Sequence, residues 1–130
     1  MSDDLANYAS EREASASPIF PLTQGRLEAY LASKHLGACV GLAGLGKACV
    51  FARAWLYHCP ADTVHVGADG ATVNGRFYRL ASWQAERVRR LDAAFPQGVP
   101  VTKRQYLALL RPGAAHRQLR ARENVEVQTQ

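Results

Sequence analysis

The chain lacks any uncharged apolar run long enough to cross a bilayer. Its longest apolar stretch, residues 36–57, has the length, but Lys47 and Arg53 interrupt it. Each would cost about 2.5–3.5 kcal/mol near a membrane centre. A buried core segment is the expectation, and no membrane partner is expected. The first 17 residues are acidic and rich in Ser and Ala, without the basic start and apolar centre of a secretory leader or the Arg content of a transit peptide. Cysteine is scarce and odd in number: Cys39, Cys49 and Cys59 cannot all pair within one chain, which fits a reducing compartment. A cytoplasmic protein is expected.

Large apolar side chains are also in short supply. Hydrophobic residues are 48% of the 130, yet 22 of them are Ala, so one modest core is the most they can build. That length holds one domain and excludes multi-domain enzymes. Lysine is nearly absent: of 16 cations, 13 are Arg, against 11 Asp and Glu, for a net charge of +5. Residues 1–75 hold five cations and seven carboxylates, a net of −2, whereas residues 76–130 hold eleven and four, a net of +7. A basic, Arg-rich half points to phosphate or carboxylate partners.

The pattern along the chain predicts a small single α+β domain in the order helix, helix, meander, helix, helix. Residues 1–17 read as a flexible N-terminal arm, or as a short helix starting near Ser10, residues 18–113 as the domain, and residues 114–130 as a basic, mobile tail. Thr23 is placed to cap a helix over 24–36, with Leu27, Tyr30 and Leu31 at helical spacing and Gly37 as its stop. Residues 37–46 hold four glycines and read as a tight loop or close-packed helical turn. Residues 47–58 read as a central helix, apolar almost all round, and Pro60 ends it. Three short strands over 63–66, 71–73 and 76–80 form an antiparallel meander, in which Asn74 and Gly75 are the hairpin signal. Ser82 is placed to cap a helix to Phe95, residues 96–100 form a loop, and Thr102 caps a last helix to Leu110.

Gly41, Gly46 and Lys47 fit the G-x-x-x-x-G-K part of a phosphate-binding loop. The hydroxyl that should follow to hold Mg²⁺ is replaced by Ala48, so the glycines fit close helix packing better, with degenerate nucleotide binding kept as a third reading. His35, Cys39, Cys59 and His65 are the conceivable metal set. No C-x-x-C or H-x-x-x-H pair anchors them, and buried thiols are the expectation. Cys59 sits at a helix C-terminus, where the dipole disfavours a thiolate, and Asp62 with His65 needs no catalytic role. No cofactor, no metal and no enzymatic activity are expected.

The remaining constellation is basic: Arg76, Arg79, Arg87, Arg89, Arg90, Lys103, Arg104, Arg111, Arg117, Arg120 and Arg122. Lys103 and Arg104 occupy a first helical turn after the Thr102 cap, where cations oppose the helix dipole unless a phosphate sits on the free N–H groups. One of Phe77 and Tyr78, on opposite faces of a strand, is expected to be exposed beside Arg76 or Arg79, fit to stack a base or anchor a protein contact. The leading expectation is a non-enzymatic regulatory or accessory protein that contacts DNA or RNA phosphates. The alternative is a phage- or mobile-element-borne inhibitor, adaptor or assembly subunit. It would dock on acidic protein surface, or form a homo-oligomer, using Phe51 and Trp55 of the apolar helix at an interface.

Overall fold

In the computed structural model, which describes residues 17–111, helix α1 (Gln24–Ala32) starts where Thr23 Oγ1 accepts the backbone N–H of Arg26 at 3.1 Å. Leu27, Tyr30 and Leu31 face inward, as their spacing predicts. The helix stops at Ser33, short of the expected end at residue 36, and a turn over 34–38 feeds the chain into strand β1 (Cys39–Leu42). This strand was not expected. It pairs antiparallel with β5 (Pro100–Thr102), so parts of two expected loops form a two-stranded sheet.

Helix α2 (Val50–His58) begins three residues later than its pattern suggests, with Cys49 as N-cap. It packs on α1, β1 and the first meander strand. Phe51 and Trp55, expected at an interface, are instead 0% and 7% exposed within the domain's own core. An apolar helix in need of outside cover is therefore no reason for this chain to oligomerise. Trp55 Nε1 donates to Asp62 Oδ2 at 3.0 Å, which satisfies the indole at the edge of that core.

The meander β2 (Val64–Val66), β3 (Ala71–Val73) and β4 (Arg76–Tyr78) forms as expected. Asn74 and Gly75, at φ 51° and 81°, supply the left-handed pair that a tight hairpin demands. Val64, Val66, Ala71 and Val73 point into the core, and the other face carries His65, Thr72 and Phe77 in register across the three strands. Residues 18–20 run beside β4, with the Phe20 N–H donating to the Arg79 carbonyl and the Arg79 N–H to that of Pro18.

Helix α3 (Ser82–Ala94) follows an Ala81 N-cap, so Ser82 is its first residue and not its cap. Gln84 Oε1 accepts the Ala81 N–H in the cap's stead. Helix α4 (Lys103–Leu109) has the expected Thr102 cap, made reciprocal by Gln105: Thr102 Oγ1 accepts from the Gln105 N–H at 3.2 Å, and Gln105 Oε1 from the Thr102 N–H at 2.9 Å. The small α+β domain thus holds, with a second sheet added. Among the described residues no helix is long and apolar enough to cross a membrane. Apart from Ser17, the expected arm lies outside the described residues, as does the expected tail over 114–130.

Candidate functional site

Residues 76–111 hold eight cations and two carboxylates, yet among the described residues there is a single ion pair, Arg90 to Glu86 at 2.8 Å. The fold divides these cations into two sets. Four are tied to the domain itself. Arg79 Nε donates to the Ser17 carbonyl at 2.9 Å. Arg87 lies 4.9 Å over the Trp83 ring and donates to Tyr106 Oη at 3.3 Å. Arg90 also reaches the Leu109 carbonyl at 2.9 Å, joining α3 to α4. Lys103 Nζ donates to the Lys34 carbonyl at 3.0 Å.

The other four are exposed. Arg76 rests over the Tyr78 ring at 5.4 Å, while the guanidinium groups of Arg89, Arg104 and Arg111 make no hydrogen bond or ion pair among the described residues. They lie on β4, on α3, on α4 and just after α4. Arg117, Arg120 and Arg122 lie outside the described residues.

The phosphate seat expected at the start of α4 is already occupied by the chain. The Lys103 N–H donates to the Ala38 carbonyl and the Arg104 N–H to the Leu36 carbonyl, both at 2.9 Å, and the Gln105 N–H is taken by Thr102. The turn after α1 satisfies these groups in place of an anion, so Thr102 and Lys103 serve the fold there, and Arg104 offers only its side chain.

The glycine-rich segment is likewise structural. A Cβ on Gly41 would stand 2.4 Å from the Val50 backbone nitrogen, so only glycine lets β1 meet the start of α2. One on Gly46 would stand 2.4 Å from the His65 ring. The N–H groups of Leu42, Ala48 and Cys49 bond to carbonyls of the same loop, and Lys47 lies exposed in it. Neighbouring β1 is antiparallel to its partner, and helix α2 starts after the segment and not at Lys47. Both features depart from a phosphate-binding loop.

A cavity of about 180 Å³ opens between this loop, the β2–β3 turn and α3, with Cys49, His65 and Asp92 among its walls. Burial pushes the Cys49 thiol up from its ordinary value, and the Asp92 charge adds to the rise, which favours a protonated and unreactive sulfur. Partial burial raises the Asp92 carboxyl as well. The sequence reading placed Cys49 inside the helix as a buried thiol, whereas it is the residue just before it, an N-cap without a side-chain cap hydrogen bond. All three cysteines are free thiols, and among the described residues no three His, Cys, Asp or Glu side chains gather as metal ligands.

The outer face of the meander completes the surface. Of the two candidate aromatics, Phe77 is the exposed one, at 43%, while Tyr78 packs against the core. His65, Thr72 and Lys47 line a shallow depression of about 240 Å³ on the same side. No protein-family model, curated protein or solved structure matches the chain, so function is argued from these side chains.

Proposed function

We propose that the protein is a small, non-enzymatic, nucleic-acid-associated protein of the cytoplasm, regulatory or accessory in role, that contacts phosphates through residues 76–111. The observation that carries this reading is the set of exposed guanidinium groups of Arg76, Arg89, Arg104 and Arg111, which meet no carboxylate among the described residues. Arginine holds its charge at any physiological pH and presents a planar fork to phosphate oxygens. Contacts of this kind position a nucleic acid without reading its sequence, and they release counterions, so affinity falls steeply with salt.

Fluorescence anisotropy with labelled DNA and RNA between 50 and 200 mM salt, values chosen around the usual range of such titrations (about a fourfold span), tests this. Four phosphate contacts give a log–log slope of roughly −4 on duplex DNA. Replacing Arg76, Arg89, Arg104 and Arg111 together with Gln is expected to flatten it. Absence of binding to any DNA or RNA at low salt, or an unchanged slope in the fourfold variant, overturns the proposal.

A second reading, docking on an acidic protein surface, draws support from apolar Ile19 beside Arg79 and from Phe77, both exposed. Retention of a defined acidic partner after nuclease treatment, together with no nucleic-acid binding, would favour it.

A further inference from the structure

Resting on the nucleic-acid reading, we propose that the outer face of the meander is a stacking platform for unpaired bases, so that the nucleic acid bound is single-stranded. His65, Thr72 and Phe77 stand directly opposite one another on β2, β3 and β4, forming one row across the sheet. The two rings of that row flank a small Thr, and each leans on a glycine. A Cβ on Gly46 would fall within 2.4–2.7 Å of the His65 ring, and one on Gly70 within 2.5–2.6 Å of the Phe77 ring edge. Both rings are thus held down against backbone while His65 and Phe77 remain exposed. Among the described residues α2 packs on the opposite side, where Val64, Val66, Ala71 and Val73 are buried, while on the outer face His65 borders the glycine-rich loop and shares the cavity described above with Asp92 of α3.

Charge selects the occupant. Exposed Lys47 lines the depression beside His65, Thr72 and Gly75, on the face that carries the row, whereas Arg76 pairs with Val73 and rests over Tyr78 on the opposite face. Asp62, just before β2 at the Gly75 end, is engaged by Trp55 Nε1 at 3.0 Å and by Asn74 Nδ2 at 3.1 Å. Asp69 lies in the β2–β3 turn, at the far end of the strands from Lys47. A flat row of rings with a cation at one end suits a strand whose bases lie on the sheet and whose phosphates run past Lys47. A duplex hides the faces of its bases within the stack and offers this row nothing to stack on.

The test is anisotropy at one fixed salt concentration with three labelled probes: an oligothymidylate, an oligouridylate of equal length, and a DNA duplex of that length. The expected result is single strands bound at least tenfold more tightly than duplex. Phe77→Leu, which keeps an apolar side chain but removes the ring, is expected to weaken single-strand binding by about fivefold to a hundredfold. Its thermal midpoint and duplex affinity should stay unchanged. Comparison of the two single strands tells whether DNA or RNA is preferred. Duplex affinity equal to single-strand affinity overturns the platform whether or not the variant folds, and leaves the phosphate-contact reading standing if the salt slope persists. An unaltered single-strand affinity in a folded Phe77→Leu protein overturns it too. Binding to none of the probes overturns both readings.

Discussion

Gln84 Nε2 donates to the carbonyl of Phe20 at 3.0 Å across 64 positions of sequence. The same nitrogen donates to the Leu22 carbonyl at 3.0 Å, and Gln84 Oε1 accepts the Ala81 N–H at 2.8 Å. At 1% exposure Gln84 is the only fully buried amide or charged side chain among the described residues, and its amide is satisfied at both ends. It fastens the segment before α1, which carries the buried rings and chains of Phe20 and Leu22, onto the first turn of α3.

Removing that amide leaves two buried carbonyl groups without their donor. Gln84→Ala is expected to lower unfolding free energy by roughly 2–4 kcal/mol, combining lost donors with a cavity. Gln84→Glu keeps the volume but sets a carboxylate against two carbonyl oxygens. It should be at least as damaging at neutral pH and should recover in part on acidification, when a protonated carboxyl regains one donor. Urea titrations of the three proteins at pH 4.5 and 7 check the order.

Gly41 and Gly67 separate packing from loop freedom. Alanine at 41 would drive its Cβ to 2.4 Å from the Val50 nitrogen and 2.7 Å from the Cys49 carbonyl carbon, both backbone atoms that cannot rotate away. Gly41→Ala should therefore destabilise by about 1–3 kcal/mol or more, as overpacking does. Gly67 has nothing within 4 Å of such a Cβ, and Gly67→Ala should be near neutral. Thermal melts decide this, and equal losses at both positions would refute the packing role of Gly41.

The contrast shows what was legible in the sequence. The Asn74–Gly75 hairpin was readable because its requirement, positive φ at two successive residues, is local. The Thr102 cap was readable for the same reason. The pairing of β1 with β5 was not, since it joins residues about 60 positions apart and one strand contains a glycine whose need arises from α2. The same non-local physics hid the fate of the basic residues. Nothing near Lys103 in sequence announces that carbonyls at 36 and 38 take the first N–H groups of α4, or that its own ammonium reaches Lys34. Which arginines are clamps and which are free depends on acceptors elsewhere in the chain.

Alkaline pH should destabilise the fold in a defined direction. Burial raises the Tyr30 and Tyr106 hydroxyls and the Cys49 thiol above their ordinary values, with Arg53 and Arg87 opposing the rise at the two tyrosines. The native state therefore keeps protons that the unfolded chain releases, and stability falls as pH climbs through the ordinary thiol range near 8.5 and the phenol range near 10. Tyr30 Oη also donates to the Val40 carbonyl at 2.7 Å, tying α1 to β1. Tyr30→Phe should cost stability at neutral pH, by about 1 kcal/mol or somewhat more, and give a shallower decline between pH 8 and 10.5. A decline as steep as that of the parent protein would show that Tyr30 is not among the groups responsible.

Arg90 and Arg89 are adjacent in sequence and should behave oppositely. Arg90 binds the Leu109 carbonyl at 2.9 Å and Glu86 at 2.8 Å, so it satisfies an acceptor near the end of α4 while holding that helix to α3. Arg87 adds a bond to Tyr106 in the same seam. Arg90→Ala removes a charge-assisted bond to a partly buried carbonyl, and a loss of about 1.5–3 kcal/mol is expected. Arg89 is exposed, and its guanidinium has no partner among the described residues. Arg89→Ala should leave the melting temperature within a degree or so, since surface changes away from such contacts usually stay within about 0.5 kcal/mol. If phosphate contact is the role of the free set, Arg89→Ala should instead reduce the magnitude of the salt slope for nucleic-acid binding by about 1. Calorimetry paired with anisotropy at several salt concentrations reads both quantities on each variant. An Arg89→Ala protein that loses stability but keeps its salt slope would invert the assignment and move Arg89 from the binding surface to the frame.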